Sequence, residues 1–234
     1  MQIEQMNSDQ VKNLLHRENR AVLPLGCTEQ HAFLSLSTDS ILASKLSIDV
    51  CEPLRVPVFP VLTYGLTPSF IEFPGTISLQ SETYLRVVKD IVAGILRQGF
   101  SRLLIVNGHG GNTPAKSVIP EVLKSFPEAR VIWHDWWIGP KTWKHVQSID
   151  ADASHASWME SFPWTRPEGV VQPTTKKPMI DPNRYHQLSP TAAKAYLGDG
   201  SFGGLYQRSD DEMQSVWDTA VNETREILES GWAD

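Results

Sequence analysis

The sequence predicts an α/β protein with a mostly parallel sheet that is covered by helices on both sides. Short apolar segments alternate along the chain with segments whose apolar residues recur at helical spacing. The clearest strand, residues 102–106, has a continuous apolar centre, as expected for a strand that is buried on both faces. This alternation of strand and helix favours parallel pairing, with helices above and below the sheet.

The first part of the chain predicts two helices and two strands. Ser8 is a candidate N-cap for the first helix, and residues 21–25 are typical of a short buried strand. A polar loop from Cys27 leads to Asp39, which opens a second helix with apolar residues on one face. Residues 56–62 predict another strand, and their prolines indicate an edge position or a kink.

The middle of the chain predicts an irregular loop followed by further helices and strands. Residues 64–75 are rich in glycine, proline and aromatic residues, which is typical of a loop. Ser81 caps a long helix that precedes the clearest strand. Residues 107–112, Asn-Gly-His-Gly-Gly-Asn, form a tight turn directly after that strand. A helix beginning at Thr113 and a strand over residues 129–133 complete this region.

The C-terminal part predicts one long helix after an irregular segment. Residues 162–188 contain many prolines and have weak periodicity, so we interpret them as an ordered excursion and not as a separate domain. Ser209 and Glu212 form a capping box at the start of the last helix. A length of 234 residues suits one large domain, so we predict a single domain over residues 1–234.

Composition excludes several classes of protein. The net charge is −6 and no run of Lys and Arg occurs, which argues against a nucleic-acid binder. No stretch approaches the roughly 20 apolar residues that span a bilayer, and the N-terminus lacks the apolar core of a signal peptide. Two cysteines cannot form a disulfide framework. We therefore expect a cytoplasmic protein that binds neither membrane nor nucleic acid.

Three groups of polar residues have the composition of metal ligands. Glu29 and His31 can face one point from an extended loop, because alternate side chains share a face, and Asp39 can turn back towards that point. His109 follows the clearest strand, at the sheet edge where open α/β proteins bind ligands. Each group taken alone also fits an ordinary loop or turn. A phosphate-binding loop is disfavoured because the glycine spacing of nucleotide motifs is missing.

His155 and Glu160 form the third group, where a loop leading into a helix can aim both side chains at one site. Together the three groups supply a carboxylate set and a histidine set. Carboxylates and imidazoles without thiolates suit Zn²⁺, Mn²⁺ or Fe²⁺. A dinuclear site often uses one carboxylate as a bridge, generates a hydroxide at neutral pH and polarises a carbonyl. The pattern therefore predicts a metal-dependent hydrolase.

Five segments, in order along nearly the whole chain, resemble motifs of the creatininase family. They are residues 23–31 with Thr38 and Asp39 (its N-terminal metal motif), residues 73–79 (its FPGT segment), residues 107–112 (its NGHGGN loop), residues 155–160 (its HAGxxE motif) and residues 198–204 (its C-terminal glycine-rich segment). Any one motif is common, but five in sequence are specific. The resemblance implies a three-layer α/β/α sandwich, a dinuclear metal site and a homo-oligomer, often a hexamer.

The resemblance also implies roles for individual residues. Glu29 and His109 would hold one ion, His31 and Glu160 the other, and Asp39 would bridge them. His155 would be the catalytic group that donates a proton or polarises the carbonyl, and its pKa is expected near the usual histidine value. Two divalent ions are expected as cofactors, with Zn²⁺ the first choice and Mn²⁺ or Fe²⁺ as alternatives.

The predicted substrate contacts come from tryptophans and from two of the motifs. Candidates for the pocket walls are Trp133, Trp136, Trp137 and Trp158, which could stack on a flat ring; packing in the core or a subunit contact is the alternative for each. His134 and Asp135 are weaker candidates to face the site. Gly110 of the glycine-rich loop and Ser78 of the FPGT segment complete the predicted contacts.

The expected substrate is a small molecule with a cyclic amide or another C–N bond. Creatininase itself carries a glutamate at the position of Gly111, so we do not expect creatinine to be the substrate. One alternative is a hydrolase of a lactone or diketone derived from a sugar or inositol, which would use the same metal site. Another is a non-catalytic metal-binding assembly protein, against which the complete ligand set argues.

Overall fold

A computed structural model describes residues 1–232 and contains a three-stranded parallel sheet. The strands are β1 (Arg20–Leu25), β2 (Arg102–Asn107) and β3 (Arg130–Asp135), in the spatial order β1-β2-β3. The helices are α1 (Ser8–Leu15), α2 (Thr38–Cys51), α3 (Ser81–Arg97), α4 (Ile119–Leu123), α5 (Pro140–Ile149), α6 (Pro182–Tyr185), α7 (Pro190–Leu197) and α8 (Asp210–Ser230). Within the described residues, no helix is long and apolar enough to cross a membrane.

Helices cover both faces of the sheet, which confirms the predicted three-layer α/β/α fold. Alternate residues of a strand point to opposite faces. Val22 and Leu104 therefore pack into a core with α2 and α8, whereas Leu23 and Leu103 pack into a second core with α3. The complete burial of these strand residues explains why β1 and β2 are almost continuously apolar.

Residues 56–62 differ from the predicted strand. They follow the outer edge of β1 but form only isolated bridges, at Val58 beside Val22 and at Leu62 beside Leu25. Pro57 and Pro60 lack the N–H group that a regular ladder requires. The predicted edge position is therefore correct, but the backbone pairs only locally.

The connections around β1 run in opposite directions. The chain leaves β1 through α2 on one face and reaches residues 56–62 on the outer side of that strand. It then passes through α3 on the other face and enters β2 on the inner side. The carboxyl ends of β1 and β2 thus form a topological switch point, where open α/β sheets bind their ligands.

Two further segments refine the sequence prediction. The segment Gly110–Val118, predicted to begin a helix at Thr113, is a 3₁₀ helix that continues into α4. The predicted excursion over residues 162–188 is ordered, and Tyr185 from it packs against Phe70, Phe73 and α7 in a small third core. Phe70 and Phe73 belong to the loop that follows residues 56–62 in sequence, so this third core joins that loop to the excursion.

Candidate metal and catalytic site

The first three predicted ligands come from the loop after β1 and from the start of α2. The backbone N–H of Glu29 donates to the carbonyl of Leu36 at 2.9 Å, which closes the loop. Asp39 lies in the first turn of α2, where the helix dipole favours a negative charge. The side chains of Glu29, His31 and Asp39 are all almost completely buried.

Asp39 directs one carboxylate oxygen to each of two histidines. Its Oδ1 atom lies 3.0 Å from Nε2 of His31, and its Oδ2 atom lies 2.9 Å from Nδ1 of His109. His109 follows the end of β2 in sequence, and its Nδ1 atom also lies 3.4 Å from Oε2 of Glu29. The carboxylate of Asp39 therefore lies between the two halves of the cluster, where a bridging ligand would have to be.

Each of these histidines makes a hydrogen bond to a backbone carbonyl with its other ring nitrogen. Nδ1 of His31 lies 2.9 Å from the carbonyl oxygen of Glu29, and Nε2 of His109 lies 2.9 Å from that of Leu66. A carbonyl only accepts, so these nitrogens carry the protons. In the neutral imidazoles, the nitrogens that face Asp39 would present lone pairs to a metal, as metal-binding histidines do; without an ion, the nearby carboxylates raise the pKa of both rings.

Gly111 is required for the hydrogen bond that holds His109. A Cβ atom at this position would lie 1.9 Å from the carbonyl oxygen of Leu66 and 2.5 Å from Nε2 of His109. The loop therefore has no room for the glutamate that creatininase carries here. The carbonyl of Leu66 occupies that space and orients the imidazole instead.

Glu160, at the end of the 3₁₀ segment Trp158–Glu160, and His155, in the loop before it, complete the cluster. Ligand atoms of His31, Asp39 and Glu160 all lie within 4.8 Å of one another. Glu160 accepts a hydrogen bond of 2.6 Å from the backbone N–H of Ala156, which leaves its other oxygen for the cluster. Nδ1 of His155 lies 4.0 Å from Oε2 of Glu29. The structure thus brings all six predicted residues of the metal and catalytic set together.

A divalent metal fits this cluster because several buried polar atoms have no hydrogen-bond partner. These atoms are Oε2 of Glu29, Nε2 of His31 and Oδ2 of Asp39. Buried polar groups are normally satisfied, and each exception needs an explanation. All three atoms are oxygen or imidazole nitrogen, which suits Zn²⁺ and Mn²⁺. The donor set therefore has the chemistry of a metal centre.

Burial and mutual charge shift the pKa values of the ligand residues strongly. Burial would lower the pKa of His31, but the carboxylate of Asp39 outweighs it and raises that pKa to about 10. Burial would raise the pKa of Asp39, but the two histidines lower it. Burial raises the pKa of Glu29, and it raises that of Glu160 to about 7. The raised pKa values of the two histidines show that the carboxylates favour a positive charge among them, which a metal cation would supply.

His155 differs from the prediction in its protonation. Burial lowers its pKa well below the usual histidine value, and the neighbouring His31 lowers it further. Its Nε2 atom lies 3.2 Å from the carbonyl oxygen of Gln30, so Nε2 carries the proton and Nδ1 presents a lone pair. The imidazole is therefore neutral at pH 7. In this state it can act first as a base through Nδ1, and only after taking up a proton can it act as an acid.

A cavity of about 490 Å³ opens over this cluster. The residues that line it include Glu29, Asp39, Leu66, Thr67, Pro68, Ser69, Phe70, the loop 108–111, Trp137, Ile138, Trp143, Ala153, Ser154, His155, Met159, Glu160, Tyr185, His186 and Phe202. Two predicted substrate contacts, Trp137 and Gly110, are among them and lie next to each other, since a Cβ atom at Gly110 would be 3.8 Å from the Trp137 ring.

Other predicted contacts do not line the cavity. Trp158 is fully buried in the core beneath α8, with the guanidinium of Arg208 above its ring, so it cannot be a pocket wall. Trp136 is likewise a core residue. Ser78 instead accepts a hydrogen bond of 2.9 Å from the backbone N–H of Thr67. It therefore supports the loop that borders the cavity and does not contact a ligand.

Asp135 and His134 also lie outside the cavity, although Asp135 supports the site. It accepts hydrogen bonds from the side chains of Asn107 at 2.8 Å and of Trp133 at 2.7 Å. The amide of Asn107 also donates to the carbonyl of His109 at 2.7 Å, so this network holds the glycine-rich loop. His134 is buried and lies 3.0 Å from Oγ1 of Thr224 on α8.

Sequence reasoning missed several residues that lie at the site. Trp143 and Tyr185 line the cavity from segments without any motif of their own, and Phe202 lines it from within the glycine-rich segment 198–204. Thr67 donates a short hydrogen bond to Oε1 of Glu29, and its place within the loop of residues 64–75 gave no signal of that contact. Cys27 has its sulfur close to the ligand atoms of Asp39 and His109, and burial raises the pKa of this thiol.

Three characterised relatives are similar to parts of this chain. Creatinine amidohydrolase of Pseudomonas putida is 34% identical over 98 residues, which is 39% of this chain and 38% of that protein. A 3-dehydro-scyllo-inosose hydrolase of Thermotoga maritima is 25% identical over 56% of this chain and 43% of that protein. A mycofactocin precursor peptide peptidase of Mycolicibacterium smegmatis is 32% identical over 44% of each. Each similarity thus covers less than half of the relative's length.

Solved structures and a family model extend the similarity to nearly the whole chain. A creatinine amidohydrolase (creatininase) structure superimposes with a TM-score of 0.81 at 20% identity, over 100% of this chain and 98% of that one. A creatininase described as a manganese form gives a TM-score of 0.80 at 20% identity, over 100% and 99% of the two chains. These likenesses show the fold. Because the model described as "Creatininase: Creatinine amidohydrolase" matches residues 4–228, the chain belongs to the creatininase family, whose members are hydrolases.

Proposed function

We propose that this protein is a metal-dependent hydrolase that cleaves a C–N bond next to a carbonyl group. The observation that carries the proposal is the cluster of unpartnered buried atoms from Glu29, His31 and Asp39, two of which, Glu29 and Asp39, line the cavity. A purely structural polar cluster would satisfy these atoms internally. An active centre leaves them for a ligand.

Two groups of residues would hold the ions, and Asp39 belongs to both. Glu29 and His109 lie on one side of it, and His31 and Glu160 lie on the other. When bound, two divalent ions supply a Lewis acid for the carbonyl and lower the pKa of a water to roughly 7. The short hydrogen bond from Thr67 fixes one oxygen of Glu29, so only Oε2 is free to act as a ligand.

His155 would carry the proton between the attacking water and the leaving nitrogen. Its neutral imidazole presents the Nδ1 lone pair on the same side as Oε2 of Glu29. It can accept a proton as the nucleophile adds to the carbonyl, and it can return that proton when the C–N bond breaks. The rings of Phe70 and Phe202, with centroids 5.1 and 5.0 Å away, exclude water from its flanks.

The cavity wall favours a neutral, largely apolar substrate. Among the described residues that line it there is no Lys or Arg, so a carboxylate or phosphate on the substrate would find no such cationic side chain. The hydroxyl of Ser154 donates a hydrogen bond to the carbonyl of Gly203 at 2.7 Å, and the hydroxyl of Thr67 donates one to Glu29, so both hydroxyls are already engaged. Outside the metal cluster, Ser69, Tyr185 and His186 are the side chains left to bond the hydroxyls of a sugar or inositol derivative, and burial of hydroxyls without partners is costly. These features favour an amide over a polyhydroxylated lactone or diketone.

The test combines metal content with a substrate panel. Protein purified without chelator is analysed for bound metal, and then assayed with neutral cyclic amides, N-formyl compounds and short apolar peptides beside polyhydroxylated lactones. We expect about two divalent ions per chain and turnover of at least one apolar amide. A protein that binds no metal, and gains no activity from added Zn²⁺ or Mn²⁺, would contradict the proposal.

A further inference from the structure

Gln30 lies between the ligand residues Glu29 and His31, and it is held in place at both its backbone and its side chain. Its backbone N–H donates to Oγ1 of Thr76 at 3.0 Å. Its side-chain amide donates to the backbone carbonyl of Asp199 at 2.8 Å and to that of Ala32 at 3.2 Å. The amide of this side chain thus ties the loop after β1 to the glycine-rich segment over residues 198–204.

The backbone carbonyl of Asp199, which accepts from Gln30, is fixed by the contacts of the Asp199 side chain. Its carboxylate accepts hydrogen bonds from the hydroxyl of Tyr206 at 2.6 Å and from the backbone N–H of Ser201 at 3.0 Å, and it forms an ion pair with Lys177. The ammonium of Lys177 also donates to the carbonyls of Leu197 and Ser201, at 2.6 and 2.8 Å. These bonds fix the backbone on both sides of Asp199.

The glycine after Asp199 allows Gln30 to approach. Gly200 has a φ of +98°, and a Cβ atom there would lie 2.7 Å from Cγ of Gln30. Any other residue would both strain the backbone and displace the glutamine side chain. The glycine-rich segment is thereby fitted to the side chain of Gln30.

The same two segments also fix His155. The backbone carbonyl of Gln30 accepts from Nε2 of His155 at 3.2 Å. On the opposite side, the backbone N–H of Phe202 donates to the carbonyl of His155 at 3.0 Å. The imidazole is therefore held through its ring nitrogen by one segment and through its backbone by the other.

We propose that Gln30 is a positioning residue for His155, anchored by the backbone of Asp199, and that it selects the ring tautomer with the proton on Nε2. Without the anchor, the peptide carbonyl of Gln30 would no longer be fixed opposite Nε2. The proton could then reside on Nδ1, where it would block the lone pair that faces the cavity. The inference rests on the proposed function only in giving His155 a catalytic task, since the tautomer itself is a property of the ground state.

The primary experiment measures the tautomer directly. Histidine side-chain ¹⁵N NMR spectra of the wild type, assigned with His155→Ala, should show a protonated Nε2 and an unprotonated Nδ1. In Gln30→Met, which keeps the length of the side chain but removes its donors, the His155 signals should move towards a mixture of tautomers. An unchanged His155 spectrum in Gln30→Met would overturn the proposal, whether or not a substrate is known.

Activity supplies an independent test by a double-mutant cycle. Gln30→Met should lower kcat by about 10- to 100-fold, as loss of a supporting partner does, while KM and bound metal stay unchanged. Combined with His155→Ala, it should cause no further loss, because both changes remove the same function. Full additivity would overturn the proposal. Gln214→Met on the surface of α8, which also loses a side-chain hydrogen bond, is the matched control.

Two outcomes separate this inference from the proposed hydrolase function. If the tautomer changes in Gln30→Met but His155→Ala retains full activity, Gln30 positions His155 as inferred and the catalytic role of His155 is wrong. If His155→Ala is inactive but the tautomer in Gln30→Met is unchanged, the hydrolase stands and the positioning role fails. Gln30→Glu is a second variant that should break the same anchor, because its carboxylate cannot donate hydrogen bonds to the carbonyls of Asp199 and Ala32.

Discussion

The carboxylate of Asp39 lies 3.0 Å from Nε2 of His31, yet that nitrogen has no hydrogen bond of good geometry. The two groups are close enough to share a ligand and are not aligned to satisfy each other. This relationship is what a metal centre requires of a bridging carboxylate and a neighbouring imidazole.

Asp39→Asn should remove metal and activity together. The change keeps the shape of the side chain but removes the charge that both halves of the cluster share. Partner residues around metal ligands already contribute roughly 10- to 100-fold to affinity, so loss of a bridging ligand should cost about 100-fold or more. Metal per chain, measured by mass spectrometry, tests this. Asp90→Asn on the exposed side of α3 is the control, and retained metal in Asp39→Asn would refute the bridge.

His155→Ala should retain both metal ions and lose turnover. The residue is proposed to move a proton, and removal of such a group costs roughly 10²- to 10⁴-fold in rate. Metal content and kcat measured on the same preparation separate the two roles. The exposed His16→Ala variant controls for loss of a histidine elsewhere. If His155→Ala lost metal, the residue would be a ligand and not a proton carrier.

Metal should stabilise the folded protein against heat. A ligand that binds only the folded state at 100 times its Kd adds ~2.7 kcal/mol. For a chain of this size, such a gain corresponds to a rise in Tm of roughly 5–10 °C. Calorimetry of chelator-treated protein with and without Zn²⁺ or Mn²⁺ measures it. Asp39→Asn should show no rise; an equal rise in this variant would point to binding elsewhere.

Gly111→Ala should weaken the site although it adds only a methyl group. The new Cβ would force the carbonyl of Leu66 away and break its hydrogen bond with His109. We expect a lower Tm and a lower metal affinity, and no gain of creatinine hydrolysis from Gly111→Glu. Gly94→Ala is the matched control, because nothing lies within 4 Å of its added methyl group and alanine favours the interior of α3 by about 1 kcal/mol. Normal metal affinity in Gly111→Ala would contradict the prediction.

His134 should make stability fall as the pH is lowered. Burial lowers its pKa below the usual 6.5, so below that pH the unfolded chain takes up a proton that the folded chain does not. Its contribution is complete above pH 6.5 and is lost as the pH falls towards the lowered value, by at most about 1.4 kcal/mol per pH unit. Urea unfolding of the wild type and His134→Gln, at about pH 7.5 and 5, measures the difference. Parallel losses in the two proteins would show that His134 does not contribute.

The fold and the ligand set could be predicted because their signals are local in sequence. The apolar run of β2 and the capping box at Ser209 depend on neighbouring residues only, and both are present as predicted. The five proposed ligands and His155 belong to short motifs that the chain brings to one place. Which of them bind metal stays a prediction, although the geometry brings them together.

The cavity walls could not be predicted in the same way. The sequence identifies Trp137 and Trp158 as large aromatic residues but not the direction in which each points, and only Trp137 reaches the cavity. Phe202 and Tyr185 reach it through tertiary contacts from segments without periodicity. The lowered pKa of His155 likewise depends on neighbours distant in sequence, which is why the expectation of an ordinary value was wrong.

The broken edge formed by residues 56–62 hinders intermolecular pairing on the β1 side of the sheet. The outward-facing N–H of Val58 donates to the carbonyl of Met1, and Pro60 has no N–H to offer. At these two positions, a second chain therefore finds no free donor on which to extend the sheet and begin an aggregate. Removal of the first three residues would uncover the donor of Val58, and this edge would become a template for association between chains.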